Sequence, residues 1–87
     1  MMTDITIYTT SACPYCSMAK SLLNKKGAKF QEIDVSYDAG ERQRMTQLSG
    51  GRRSVPQIFI GKMHVGGCDD LHALDAKGGL DPLLAAS

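Results

Sequence analysis

The feature that most constrains this chain is a pair of cysteines, Cys13 and Cys16, which closely follows an apolar run at residues 5–8. The run is rich in β-branched side chains and predicts a buried strand over residues 4–9. Pro14 stands where a helix is expected to begin, because proline at the first helical position has no N–H group to leave unpaired. A C-x-x-C motif between a strand and a helix indicates a thiol–disulfide redox site.

Composition limits the classes of protein to which the chain can belong. Its 87 residues predict a single domain over 1–87, and a net charge of +1 argues against nucleic acid or an anionic membrane as a partner. No apolar run approaches the roughly 18 residues of a membrane span, and residues 1–4 do not resemble a secretory signal. Three cysteines, an odd number, disfavour a disulfide-stapled secreted scaffold. We therefore expect a cytoplasmic protein whose cysteines react or bind a metal. We also expect a monomer.

Patterns typical of strands and helices alternate along the rest of the chain. The elements predicted after the first strand are a helix from residue 14 to Gly27, a strand over 29–35, a helix over 39–48, strands over 57–60 and 63–65, a helix from about residue 68, and a short helix capped by Asp81. Met45 and Leu48 are expected to face the core, whereas His64 and His72 are expected at the surface. A strand–helix–strand unit followed by a hairpin implies a parallel pair plus an antiparallel pair. This order predicts an α/β, thioredoxin-like fold, with a mixed four-stranded sheet flanked by helices on both faces.

The chemistry of the cysteine pair follows from its place at the start of a helix. A thiolate is the form that attacks disulfides, and the unpaired N–H groups and positive dipole end of a helix N-terminus stabilise it. Cys16 lies one turn further on, so that both sulfur atoms share a face and the second is more buried. These positions predict Cys13 as the attacking nucleophile and Cys16 as the resolving thiol.

Metal binding is the alternative use of the same cysteines. His64 and Cys68 have the spacing H-x-x-x-C, so Cys13, Cys16, His64 and Cys68 form a candidate zinc set. A second form of this hypothesis is a carrier that holds an iron–sulfur cluster between two subunits through Cys13. Pro14 and the strand-to-helix setting favour the redox interpretation and predict no metal site, and the thiol of Cys68 is expected to be buried rather than catalytic.

Three blocks of sequence resemble the signatures of the dithiol glutaredoxins: residues 13–16 (CPYC), 54–56 (SVP) and 66–70 (GGCDD). The C-terminal residues 71–84 are similar to those of bacterial members of that family. The resemblance implies an enzyme that reduces protein disulfides and glutathione mixed disulfides. It further implies that no cofactor is bound, that glutathione is the cosubstrate, and that glutathione reductase supplies electrons indirectly.

The resemblance also implies a binding site for the tripeptide, with a cis peptide bond before Pro56 and backbone pairing at Val55. The residues it assigns to glutathione are Tyr15, Ser54, Val55, Pro56, Gly67, Cys68, Asp69 and Asp70, with Gln47 and Arg53 as candidate contacts of the glycine carboxylate. The chain departs from the family pattern at Thr10, where a lysine is common, and Arg52 or Arg53 is expected to compensate for the missing cation.

Overall fold

The computed structural model describes residues 4–85 and places strand β1 (Ile5–Thr9) inside a four-stranded sheet. On one side β1 pairs in parallel with β2 (Gln31–Asp34). On the other side it pairs antiparallel with β3 (Gln57–Ile60), which continues through a hairpin into β4 (Met63–Gly66). The predicted mixed sheet is confirmed, with the strand order β2-β1-β3-β4.

Four helices complete the fold: α1 (Pro14–Lys25), α2 (Ala39–Leu48), α3 (Cys68–Ala76) and α4 (Leu80–Ala85). The part of the chain that the structure describes contains no helix that is long and apolar enough to cross a membrane. Helices α1 and α3 lie against each other on one face of the sheet, and α2 lies on the other face. The predicted thioredoxin-like arrangement, with helices on both faces, is therefore confirmed.

Alternation along the strands divides the core between the two faces. Ile5 and Ile7 point to the α1 and α3 side and belong to the larger cluster, together with Leu23 and Leu71. Tyr8, on the opposite face of β1, belongs to the smaller cluster under α2. Because neighbouring residues of a strand point to opposite faces, one five-residue strand supplies side chains to both clusters.

The helix ends follow the local chemistry expected from the sequence. The Asp38 carboxylate accepts a hydrogen bond from the Glu41 N–H group at 3.0 Å and so caps α2. Gly27, just beyond α1, has φ of 71°, a conformation that is costly for residues with a Cβ atom. Both signals act within a single turn of chain, so they can be read from the sequence.

Three predictions about individual residues are wrong. Leu48 does not face the core: its side chain is 51% exposed, and of the two predicted residues only Met45 is buried under α2. His64 is half-buried rather than a surface residue, because its ring stacks on Phe59 with the centroids 4.8 Å apart. Helix α4 begins at Leu80, so Asp81 lies within its first turn instead of capping it.

Candidate active site

Cys13 is the cap of α1, and its sulfur atom takes the place that a hydroxyl or carboxylate oxygen has at many helix starts. The Sγ atom accepts a hydrogen bond from the N–H group of Cys16 at 3.1 Å. The two cysteines form a disulfide in this structure, with their Cα atoms 5.1 Å apart. The first turn of α1 contains no acidic side chain, so nothing in that turn opposes a negative charge on the sulfur.

The two cysteines differ in burial. Cys16 is 1% exposed, whereas Cys13 is half-buried and remains accessible from one side. An incoming disulfide can therefore reach Cys13 directly but reaches Cys16 only through Cys13. This is the asymmetry that an attacking thiol and a resolving thiol require.

A serine tether that the sequence reasoning missed holds the loop before Cys13. The Ser11 N–H group donates to Ser36 Oγ at 2.8 Å, and the Ser36 N–H group donates to Asp34 Oδ1 at 2.8 Å. The Ser36 hydroxyl, and then the Ser36 N–H group, hold the pKa of the Asp34 carboxyl below its usual value. Ser11 and Ser36 are 25 residues apart, so no local pattern identifies this contact.

The segment before β3 forms the wall facing Cys13. The Val55–Pro56 peptide bond is cis, and the carbonyl oxygen of Val55 lies 3.9 Å from Cys13 Sγ. The buried Gln57 amide supports this wall, because its Nε2 donates to the carbonyl oxygen of Ser54 at 3.0 Å and to the Ser54 hydroxyl at 3.2 Å.

His64 completes the support from the neighbouring strand. Its Nε2 lies 2.7 Å from Gln57 Oε1. Since the Gln57 amide nitrogen donates to Ser54, its oxygen must accept, which assigns the proton to His64 Nε2. Burial, and secondarily the charge of Arg52, lowers the pKa of His64. The neutral ring with a proton on Nε2 suits this contact.

Across from the cysteines, the start of α3 brings opposite charges together. The Asp70 Oδ2 atom accepts from the Gly67 N–H group at 2.9 Å and from Arg52 Nη1 at 3.2 Å. The backbone N–H group and then the guanidinium hold the pKa of the Asp70 carboxyl below its usual value. Gly66, with φ of 119°, gives the chain the bend that places Asp70 directly over it.

These elements enclose a cleft of about 290 Å³. The residues that line it are Tyr15, Arg52, Ser54, Val55, Pro56, Gly67, Cys68, Asp69 and Asp70. All eight residues that the resemblance assigned to glutathione are thus brought together, and Arg52 is added to them. The Cys13 sulfur lies at the edge of this cleft, next to the Val55 carbonyl.

The two candidate contacts of the glycine carboxylate lie elsewhere. Arg53 lines a separate cleft beside α2, and its carbonyl oxygen accepts from Arg42 Nη2 at 3.1 Å. Gln47 is exposed on α2 and does not line the cleft. Their contact with a ligand stays a prediction.

The residues of the candidate zinc set are not assembled as metal ligands. Within residues 4–85, no three His, Cys, Asp or Glu side chains are arranged to hold a metal ion. His64 is engaged with Gln57, and the buried Cys68 sulfur lies 3.4 Å from His72 Nδ1. Burial, and then the charge of Asp69, raises the pKa of the Cys68 thiol and so disfavours its thiolate.

Comparisons with known proteins agree with this geometry. Residues 5–65 match the model of the glutaredoxin family. The chain is 57% identical over 83 residues to Glutaredoxin 3 of Escherichia coli K12, which covers 95% of this chain and 99% of that protein.

Solved structures of similar proteins include two informative cases. The solution structure of glutaredoxin from Brucella melitensis has a TM-score of 0.84 and 57% identity, and the match covers 95% of this chain and 89% of that one. A crystal structure of a buckwheat glutaredoxin–glutathione complex has a TM-score of 0.84 and 33% identity, with coverage of 94% and 76%. With its cysteine pair at the start of α1 and a near full-length match to these proteins, this chain belongs to the glutaredoxin family of glutathione-dependent thiol–disulfide oxidoreductases.

Proposed function

We propose that Cys13 is the catalytic nucleophile and Cys16 the resolving thiol in the reduction of protein disulfides and glutathione mixed disulfides. The observation that carries this assignment is the position of the Cys13 sulfur at the start of α1 and at the edge of the cleft, 3.9 Å from the Val55 carbonyl oxygen. The N–H group of Cys16 already points at that sulfur and would stabilise a thiolate there. The burial of Cys16 supports its role as the second thiol.

Two thiol–disulfide exchanges reduce a protein disulfide, and two further exchanges with glutathione restore the thiols of Cys13 and Cys16. The Cys13 thiolate attacks one sulfur of the substrate disulfide, a bond forms between them, and the other sulfur leaves as a thiolate that takes a proton from solvent. For a protein disulfide, Cys16 then attacks Cys13, which releases the reduced protein and leaves the Cys13–Cys16 disulfide observed in the structure. Two glutathione molecules reduce this disulfide and are oxidised to glutathione disulfide, which a separate reductase recycles.

The cleft is the proposed binding site of the glutathione moiety. The Val55 backbone would pair with the cysteine residue of the tripeptide in the manner of an added strand. The N–H groups at the start of α3 face the cleft through Cys68 and Asp69 and would bind the α-carboxylate of the γ-glutamyl group. Asp70 would accept from the α-ammonium group. Tyr15, which is 58% exposed, would cover the open side.

Six further properties belong to the same proposal. Residues 1–87 form one domain, whose radius of gyration of 12.1 Å is close to the value of about 12 Å expected for a chain of this length. The protein works as a monomer in the cytoplasm. Its protein partners carry disulfides or bound glutathione, it binds no metal, and it carries no bound cofactor. Light scattering at several protein concentrations tests the monomer, since a mass that rises with concentration would contradict it.

The experiment that tests the proposed function compares two sources of electrons. NADPH oxidation is followed with a small disulfide substrate, in one arm with glutathione and glutathione reductase and in the other with thioredoxin reductase alone. We expect turnover in the first arm only. Equal turnover in the second arm would show that the reducing power does not depend on glutathione.

A further inference from the structure

The Arg52 side chain lies in the cleft beside Asp70 and Gly67, at the start of α3. Its Nη1 atom lies 3.2 Å from Asp70 Oδ2, and its Nη2 atom lies 3.6 Å from the point where a Cβ atom on Gly67 would stand. The guanidinium therefore lies across the start of α3. Arg52 is also the only basic residue among those lining the cleft in the described part of the chain.

The ion pair is accessible to a ligand. The Arg52 and Asp70 side chains are 46% and 48% exposed, so the pair is screened by water and contributes little to the stability of the fold. A ligand with charges of its own can rearrange this pair at low cost. Asp70 remains oriented when Arg52 leaves, because the Gly67 N–H group holds the same carboxylate oxygen at 2.9 Å.

The charges around the start of α3 match those of an α-amino acid group. A carboxylate that binds the first N–H groups of α3, at Cys68 and Asp69, would lie beside the Arg52 guanidinium, with which it can form a charge-assisted hydrogen bond. The adjacent ammonium group would lie next to Asp70. The four charges then alternate in sign around a small ring.

We propose that Arg52 is a specificity-determining residue that binds the α-carboxylate of the γ-glutamyl group. In this structure Asp70 holds the guanidinium, and the ammonium group of the substrate takes the place of the guanidinium at Asp70 when the ligand binds. This inference rests on the proposed binding of glutathione in the cleft. The two arginines would then bind opposite ends of the tripeptide. Arg52 binds the γ-glutamyl end, whereas the sequence analysis expected Arg53 to contact the carboxylate of the glycine end.

The test uses tripeptides that lack one charge at a time. Each peptide is joined as a mixed disulfide to a chromophoric aryl thiol, whose release reports the attack of reduced Cys13 in a single turnover. The three peptides are glutathione, its 4-aminobutyryl analogue, which lacks only the α-carboxylate, and its glutaryl analogue, which lacks only the α-ammonium group. The proteins are the wild type, Arg52→Gln, Arg52→Lys and the matched control Arg53→Gln.

Arg52→Gln should slow the reaction with the mixed disulfide of glutathione and the aryl thiol about tenfold, the effect of one charge-assisted hydrogen bond. With the carboxylate-free peptide the same variant should react within about twofold of the wild type, because the group that Arg52 binds is absent. Arg52→Lys should restore part of the rate with glutathione, and Arg53→Gln should change the rates with the glutathione and carboxylate-free peptides by equal factors.

Two outcomes would overturn parts of the scheme and can be told apart. If Arg52→Gln slows the glutathione and carboxylate-free peptides by the same factor, Arg52 only supports the fold or Asp70, and the inference fails. If the wild-type protein reacts equally fast with all three peptides and with a plain cysteine mixed disulfide, the cleft does not bind the γ-glutamyl group. In that case the proposed glutathione site fails as well. Circular dichroism of each variant shows whether it is folded.

Discussion

The two helix starts that border the cleft use the same backbone chemistry in different ways. Helix α1 begins with the sulfur of Cys13 as its cap and has no acidic side chain in its first turn. Helix α3 is capped by Gly67 and has two acidic side chains in its first turn, Asp69 and Asp70, with Arg52 lying across it. Residues of both starts, Tyr15 of α1 and Cys68 of α3, line the same cleft.

The difference matches what each start would stabilise in the proposed mechanism. A thiolate is a single negative charge, so the α1 start serves it best when no other anion competes for the N–H groups and the helix dipole. An α-amino acid group carries both signs, so the α3 start needs a carboxylate for the ammonium group as well as N–H groups for the carboxylate. In the proposed mechanism, this charge placement would separate the end of the cleft that reacts from the end that binds the γ-glutamyl group.

The largest effect expected from this comparison is at the α1 start. Cys13→Ser should abolish turnover with glutathione and a small disulfide, because the hydroxyl that replaces the thiol is a far weaker nucleophile at neutral pH. Cys16→Ser should keep the removal of glutathione from a mixed disulfide but lose most protein-disulfide reduction. Steady-state assays on the two substrate types measure both effects.

Cys68→Ser is the control, since this cysteine lies at the α3 start and its thiol has no assigned role. It should keep both activities. Substantial activity in Cys13→Ser, or an equal loss of both activities in Cys16→Ser, would contradict the division of roles between the two thiols.

The next effect concerns the bend before α3. A Cβ atom on Gly66 would overlap the Asp70 carboxylate, and φ of 119° is itself strained for alanine. Gly66→Ala should therefore cost about 2–4 kcal/mol in the free energy of unfolding. It should also raise KM for glutathione mixed disulfides, because Asp70 is displaced. Urea titrations and steady-state kinetics measure the two effects.

Gly78→Ala is the matched control for backbone strain. Its φ of 77° is also positive, but a Cβ atom there would have no neighbour within 4 Å. This variant should lose about 1 kcal/mol and keep the wild-type KM. An unchanged KM in Gly66→Ala would show that the position of Asp70 does not affect binding.

A smaller effect is expected when a cation is added to the α1 start. Thr10→Lys adds a positive charge three residues before Cys13, at the position where the resemblance to the family leads us to expect a lysine. At neutral pH and low salt the variant should react with iodoacetamide about two- to threefold faster, because a nearby partly solvated charge contributes only a few tenths of a kcal/mol to thiolate formation. Thr10→Gln is the uncharged control, and an equal acceleration in that variant would rule out an electrostatic cause.

The smallest effect is the acid sensitivity of the α3 start. The Gly67 N–H group and Arg52 lower the pKa of Asp70 in the folded protein. Its stabilising contribution is therefore fully present above the unfolded value of about 3.9 and is lost as the pH falls through the lower folded value. The difference in urea midpoint between the wild type and Asp70→Asn should stay constant above about pH 5 and shrink below about pH 4. A difference that grows on acidification would contradict the shift.

Most of the fold could be predicted because its determinants are local. The cap at Asp38 and the glycine after α1 mark helix ends within one turn, and the bounds of α2 and β3 agree with the predicted ranges 39–48 and 57–60. The exposed position of Leu48 could not be predicted in this way. Helical spacing places Leu48 close to Met45 on the helix surface, but in the folded protein only Met45 reaches the core.

The site was predictable in part. The three sequence blocks identify the residues that line the cleft, because each block includes a turn or helix start with special chemistry. They do not distinguish Arg52 from Arg53. The two are adjacent arginines in one loop, but Arg52 lines this cleft and Arg53 lines the separate cleft beside α2. The support of Ser54 by Gln57 and His64 was missed as well, and the only signal for it was a glutamine in an otherwise apolar strand.

The sequence alone determined the strands, the helix starts and the chemical identity of the sulfur pair, because these depend on backbone preferences and side chains within a few residues of one another. The tertiary structure decided which groups meet across the cleft: the Val55 carbonyl with Cys13, the serine tether with the loop before it, and Arg52 with Asp70. These contacts join residues 18 to 42 positions apart. Long side chains and loops are positioned by packing of the whole sheet and its helices, and the sequence does not encode that packing in any short pattern.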